Sequence, residues 1–208
     1  MSTLKQGFFE CNFTMAMEAE KLAQSWRSRL AAECPEQSFA NRESIINWLL
    51  LSNLKQDEIL NPKEQEIIQQ EMEYRYQILR QRYLGIAKER AYRNLITRLA
   101  MVTLRHKIQA WVALSQDRQR MVLDMLQEII QELLQSDNYI QQQMACITEL
   151  TTDDKLKNAL LFTSIEEYCL RSVHNQPLLV YHLINYLKKS KKDELSSDTY
   201  WMADNRPV

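Results

Sequence analysis

Residues 121–134 read MVLDMLQEIIQELL, and this stretch carries the clearest secondary-structure pattern in the chain. Pairs of apolar residues recur at spacings of three to four positions, with acidic or amide side chains between them. Such spacing predicts an amphipathic α-helix, because residues three and four apart lie on the same side of a helix. The pattern lasts for too few heptads to predict a coiled coil, so we interpret the apolar face as core-facing.

The composition extends the helical prediction to the rest of the chain. Only 2 of the 208 residues are glycine and only 4 are proline, which leaves little material for hairpins and tight loops. Hydrophobic residues make up 45% of the chain, enough for one sizeable core or two small ones. We therefore predict an all-α fold, a compact multi-helix domain over residues 1–192 with an alternative sub-boundary near 84–86. Residues 193–208 are polar and unpatterned, which predicts a disordered tail.

Local signals predict where the helices begin and end. Pro35 should stop a first helix that starts near Phe13, and Gly85 can take the left-handed conformation that ends a helix. Short polar side chains before apolar runs predict helix starts, because they accept hydrogen bonds from free backbone N–H groups. The predicted caps are Asn61, Ser115, Asp137 and Ser164, the last in a capping box with Glu167, while Thr152 should start one helix and Pro177 should open the final one.

Positive charge is concentrated in the middle of the chain. Residues 75–120 contain eleven lysines and arginines but only two acidic residues, although the whole protein has a formal net charge of −1. Binding to a polyanion requires several cations on one surface rather than a basic average. The cluster therefore indicates a surface for nucleic acid. A solvated charged face, or arginines that pair with the acidic flanking helices, explains the composition equally well.

The predicted helices on either side of Gly85 place these cations in a helix-turn-helix-like element. With about 100° of rotation per residue, the basic side chains of the second helix fall within a sector of about 140° around the helix axis. An apolar stripe lies beside this sector. Such a layout suits DNA, since the second helix can enter the major groove while the first crosses the backbone. The candidate DNA-binding residues are Arg75, Arg80, Arg82, Lys88, Arg90, Arg93, Arg98, Arg105 and Lys107. The alternative is a non-enzymatic helical adaptor whose basic strip binds an acidic protein.

Enzyme chemistry has little support in the sequence. The three histidines and four cysteines form no CxxC pair or helical metal-ligand spacing, and two glycines cannot build a phosphate-binding loop. We therefore expect no catalytic residue, metal or cofactor. The tyrosines among the arginines (Tyr74, Tyr76, Tyr83 and Tyr92) could stack on bases, but at helical spacing they are more often core residues. No apolar run approaches the roughly 20 residues that cross a bilayer, so we expect a cytoplasmic protein with no membrane partner.

Two stretches of the chain resemble a known family. They are YRYQILRQRYLGIAKERAYRNLITRLAMVTLRHKIQAWVALSQDRQRMVLDMLQEIIQELLQSD and ALLFTSIEEYCLRSVHNQPLLVYHLINYLKKS. They resemble cyanobacterial HetZ-related proteins, relatives of the DNA-binding regulator of heterocyst differentiation, over roughly Leu22 to Ser190. The resemblance implies a helical, cytoplasmic transcriptional regulator with a helix-turn-helix-like DNA-binding segment. We further expect the acidic, apolar C-terminal half to hold another regulator or a second copy of the chain.

Overall fold

α-Helices dominate the computed structural model, which describes residues 20–51, 62–105, 116–173 and 176–183. The all-α prediction is confirmed. Within these ranges the helices, in chain order, are α1 (residues 20–33), α2 (Phe39–Leu51), α3 (Pro62–Arg82), α4 (Lys88–Arg105), α5 (Gln116–Ser136), α6 (Asn138–Leu150), α7 (Asp154–Leu170) and α8 (residues 178–183). Between α7 and α8, a two-residue strand β1 (Ser172–Val173) pairs antiparallel with β2 (Gln176–Pro177).

The structure divides into two compact units, and the divisions fall within α4, α6 and α7. The first unit comprises residues 1–91 and 142–164, and the second comprises residues 92–141 and 165–208. The single domain over residues 1–192 and its alternative sub-boundary stay predictions.

The first unit has an aromatic and aliphatic core contributed by α1, α2 and α3. Leu30, Trp48, Tyr76 and Leu79 are fully buried there. The ring of Trp26 meets Tyr76 edge-on, with 5.1 Å between ring centroids. This geometry places the positive edge of one ring against the negative face of the other, which favours the pair beyond its burial.

The second unit confirms the prediction for residues 121–134. These residues lie in α5, where Val122, Leu126, Ile129 and Ile130 are buried. Met121, at the N-terminal end of the pattern, is instead exposed. The apolar face of α5 is therefore buried, as the spacing predicted.

Polar caps define several of the helix starts. Asp137 caps α6 as predicted, because its Oδ1 accepts the N–H of Ile140 at 3.0 Å. The helix predicted to start at Thr152 starts two residues later, at Asp154, and Asp153 is its cap. The caps predicted at Asn61 and Ser115, the helix start at Phe13 and the tail over 193–208 lie outside the described residues.

The helix start predicted at Ser164 was wrong, and the one predicted at Pro177 was displaced by one residue. Ser164 and Glu167 lie inside the continuous helix α7, and the hydroxyl of Ser164 donates to the carbonyl of Leu160 at 3.0 Å. A serine can satisfy its hydroxyl on the preceding helical turn, so the capping-box pattern does not require a break. Pro177 belongs to β2 and precedes the helical residues of α8 rather than opening them.

The turn between α3 and α4 depends on Gly85. Its φ of +73° lies in the left-handed region, as predicted, and the N–H of Ile86 donates to the carbonyl of Tyr83 at 3.2 Å. Gly85 is therefore the third residue of a four-residue turn, a position where a positive φ favours glycine. This turn lets α3 end at Arg82 and α4 begin at Lys88.

Candidate nucleic-acid interface

Helix α4 has a packed side and an exposed side. Ala91, Leu95 and Leu99 are buried on the packed side, as the apolar stripe predicted. Successive residues of a helix are about 100° apart around its axis, and four residues of the exposed side fall within a sector of about 80°. We call this the outward face of α4, and it consists of Arg90, Arg93, Thr97 and Met101. Since the face belongs to a single helix, the helix alone sets its geometry.

The two arginines of this face have no acidic partner in the described part of the chain. Arg90 and Arg93 are exposed, as is Lys88 at the start of α4. No described carboxylate lies within 4.0 Å of these three cations. An anionic ligand could therefore approach them without first displacing an ion pair.

Arg75 is buried and is not exposed on such a surface, so its role as a DNA contact stays a prediction. The side chain is only 2% exposed, and its guanidinium lies over the ring of Trp48, 4.7 Å from the centroid. A cation can be buried there because the π-electrons of the indole ring attract it. Arg75 therefore contributes to the core of the first unit.

Arg80 is exposed but paired with an acid. Its Nη1 lies 2.7 Å from Oε2 of Glu33, which also accepts the hydroxyl of Tyr76 at 2.9 Å. Glu33 also accepts Nε of Arg29 at 2.9 Å. These hydrogen bonds, that of Arg29 first, lower the pKa of Glu33 below its usual value. This network ties α1 to α3, so Arg80 serves an internal contact.

Arg98 lies at the edge of the packed side of α4 and faces a buried acid. Its Nε is 3.5 Å from Oε1 of Glu166 in α7, a residue with no exposed surface. Both residues belong to the second unit. A buried carboxylate is costly without compensation, and Arg98 is one of the groups that offset the charge of Glu166.

The other predicted DNA contacts are Arg82, Arg105 and Lys107. Arg82 is half-buried at the end of α3, and Arg105 is the last residue of α4. Lys107 lies outside the described residues. The predictions for Arg82, Arg105 and Lys107 stay predictions, and the candidate interface that the described residues present is the outward face of α4 together with Lys88.

The tyrosines near the arginines lie mostly in the interior. Tyr76 and Tyr83 are fully buried and Tyr92 is half-buried, whereas Tyr74 is exposed. Burial raises the pKa of Tyr92 above its usual value. The interpretation of Tyr76 and Tyr83 as core residues is confirmed, and neither ring is available to stack on a base.

The described residues contain neither a cluster of metal ligands nor a helix that could span a membrane. No group of three histidine, cysteine, aspartate or glutamate side chains is arranged there to hold a metal ion. In the same residues, no helix combines the length and the apolar character that a membrane span requires.

Sequence reasoning found the basic cluster but missed Glu166, Thr97 and Met101. Glu166 is separated from Arg98 by most of three helices, and no local signal links two residues so far apart. Thr97 and Met101 could have been found from the helical wheel of α4, since they share the angular sector of Arg93.

Comparison of the chain with protein-family models, with curated proteins and with solved structures finds no match. The resemblance to HetZ-related proteins stays a prediction.

Proposed function

We propose that the protein is a DNA-binding transcriptional regulator whose main contact surface is the outward face of α4. The observation that carries the proposal is the contrast among the arginines. Arg75, Arg80 and Arg98 are engaged by Trp48, Glu33 and Glu166 respectively. Arg90 and Arg93, in contrast, are exposed and have no described ion-pair partner.

The spacing of these arginines suits a phosphate backbone. Residues three apart are neighbours on a helix surface, so Arg90 and Arg93 present two guanidinium groups on the same side. A guanidinium binds phosphate oxygens or the edge of guanine with two parallel hydrogen bonds. An α-helix about 10–12 Å in diameter also fits the roughly 12 Å width of the major groove.

The resemblance to HetZ-related proteins supports the same proposal and places it in regulation. An adaptor that binds an acidic protein through the same arginines is the competing function. The two differ in one respect, since a regulator must distinguish one DNA sequence from another, whereas any basic surface binds DNA weakly at low salt.

Sequence selectivity is therefore the property to measure. A duplex selected by the full-length protein from a randomised library would be compared with a scrambled duplex of the same composition, using fluorescence anisotropy at physiological salt. We expect the selected duplex to bind about 1,000-fold more tightly, the lower end for specific regulators. Equal affinity for the two duplexes would contradict the proposal and favour an acidic protein as the partner.

A further inference from the structure

Two uncharged residues follow Arg93 along the outward face of α4. Thr97 and Met101 stand four and eight positions after Arg93, so they continue its side of the helix. Both are exposed, and Met101 retains 49% of its surface. This stretch of α4 belongs entirely to the second unit. The outward side of this stretch therefore begins with the cation of Arg93. It continues with the methyl and hydroxyl groups of Thr97 and then with the flexible apolar side chain of Met101.

We propose that Thr97 and Met101 recognise the methyl groups of thymine in the major groove of duplex DNA. The proposal rests on the DNA-binding function proposed above and names the base that the surface reads. The C5-methyl of thymine is the apolar group exposed on base edges in that groove, and apolar side chains recognise it by contact. The thioether of methionine is polarizable and adapts its shape to such a surface.

Charge and length support a duplex as the occupant. Arg93, with Arg90 one helical turn earlier, provides the positive charge that a polyanion requires. At a rise of 1.5 Å per residue, Arg93 and Met101 are about 12 Å apart along the helix axis, a distance that spans three to four base pairs. A helix lying in the groove can therefore contact the backbone with one end and several base edges along its length.

The aromatic residues near the arginines offer little for stacking on bases at this face, because Tyr76 and Tyr83 are buried and the exposed Tyr74 lies on α3. Binding of single strands relies on exposed aromatic rings, yet Tyr76 and Tyr83 have no exposed surface. The outward face of α4 itself carries no aromatic residue. Thymine would thus be read within an intact duplex, where its methyl group points into the major groove.

Replacing thymine by uracil tests this directly, because it removes only the methyl group. The probe is the duplex selected by the wild-type protein, compared with the same duplex containing uracil at the thymines of the central site. Burying one methyl-sized group is worth a factor of about four in affinity, so we expect wild-type binding to weaken about fourfold for each contacted thymine. This comparison needs no variant and is independent of changes in folding.

Variants then identify which side chains make the contact. Thr97→Ser removes the threonine methyl but keeps the hydroxyl, and Met101→Ala removes the apolar side chain. Each should weaken binding to the thymine duplex and reduce the discrimination against uracil. Met121→Ala is the matched control, because Met121 is a methionine of similar exposure, 46%, on α5. It should bind and discriminate like the wild type.

Four results would overturn the inference. A selected site without thymine, or equal wild-type affinity for the thymine and uracil duplexes, would remove methyl recognition while leaving DNA binding in place. Failure of the wild type to prefer any duplex over its scrambled form would overturn both proposals and favour a protein partner. Unchanged discrimination in both Thr97→Ser and Met101→Ala would assign the methyl contact elsewhere and contradict the inference for these residues.

Discussion

Glu166 is a charged residue with no exposed surface, and its environment determines what Arg98 can do. Removing an arginine that faces a buried carboxylate takes away part of what offsets the cost of burying that charge. Arg98 is half-buried and lies 3.5 Å from that carboxylate. Loss of Arg98 would therefore alter the fold as well as the charge of α4.

We expect Arg98→Ala to lower the free energy of unfolding by about 1.5 to 3 kcal/mol, because it removes the cation that faces a buried acid. The double variant with Glu166→Gln should recover part of that loss, since it also removes the buried negative charge that Arg98 faces. Chemical unfolding of the single and double variants measures this coupling. Arg93→Ala is the matched control and should stay within about 0.5 kcal/mol of the wild type. An Arg98→Ala protein as stable as Arg93→Ala would contradict the structural role.

Gly85 provides a second prediction for a single residue. Its φ is +73°, and an added Cβ would meet no atom within 4 Å, so a substitution would strain only the backbone. Gly85→Ala should therefore cost about 1 kcal/mol and lower the melting temperature by about 2–4 °C. Gly85→Asn should cost less, because asparagine tolerates the left-handed region better. Thermal unfolding that fails to separate wild type from Gly85→Ala would argue against this turn.

The arginines show how much could be predicted at the scale of single residues. Their clustering is a property of the sequence and was found there. Their separate roles depend on residues far along the chain, since Trp48 buries Arg75 and Glu33 engages Arg80. Burial by a distant side chain leaves no local signal, so the exposed arginines could not be separated from the others before the structure.

At the scale of helices, α7 begins at a cap with three hydrogen bonds. Oδ1 of Asp153 accepts the N–H groups of Lys155 and Leu156 at 2.8 and 3.2 Å. Its Oδ2 accepts the side-chain amide of Asn41 in α2 at 2.9 Å. These hydrogen bonds, that of Asn41 first, lower the pKa of Asp153 below its usual value. The ionised carboxylate therefore stabilises both the start of α7 and its contact with α2.

We expect Asp153→Ala to lower the free energy of unfolding by about 1 to 2 kcal/mol at pH 7. Because folding depresses the pKa of Asp153, its contribution is present above the unfolded value of about 3.9. It is lost as the pH falls through the lower folded value. The difference between wild type and variant should thus be constant from pH 7 to 5 and shrink below about pH 4. Urea unfolding over this range measures it.

Asp154→Ala is the matched control for that experiment. Asp154 is exposed and lies next to the cap, where it pairs with Lys157 at 3.6 Å. An exposed pair of this kind contributes little, so its loss should cost only a few tenths of a kcal/mol. Equal destabilisation by the two substitutions would contradict the assignment of Asp153 as the cap.

Helix boundaries were predictable where the sequence contains a true break. Pro35 and Gly85 mark the ends of α1 and α3, and both ends were predicted to within one or two residues. The helix start predicted at Ser164 was wrong because a serine hydroxyl can either cap a helix or bond to a carbonyl within one, as Ser164 does in α7. Only the helical backbone on both sides of Ser164 shows that this serine lies inside a helix and does not start one.

At the scale of the whole molecule, the described fold is helical apart from the two-residue strands. Far-ultraviolet circular dichroism of the full-length protein should therefore show a helix-dominated spectrum without appreciable strand content. A sheet of three or more strands in an experimental structure would contradict the fold. Glycine scarcity and apolar periodicity were enough to predict this class, because both are properties of the chain as a whole.

The central claim is that the outward face of α4 binds DNA, and the salt dependence of a charge variant tests it most directly. The double variant Arg90→Gln, Arg93→Gln would be compared with Lys63→Gln, Lys155→Gln, which removes two exposed cations outside the basic cluster of residues 75–120. Circular dichroism and thermal unfolding would first establish that both proteins are folded. Their affinities for the selected duplex would then be measured by anisotropy over a range of salt concentrations.

Removing one arginine that neutralises a phosphate should reduce the slope of log affinity against log salt by about 0.9. We therefore expect a reduction of roughly 1.8 for Arg90→Gln, Arg93→Gln if both arginines bind phosphates, and a smaller change for the control pair. If Arg90→Gln, Arg93→Gln binds the selected duplex with the affinity and salt slope of the wild type, α4 is not the DNA surface and the central claim is wrong.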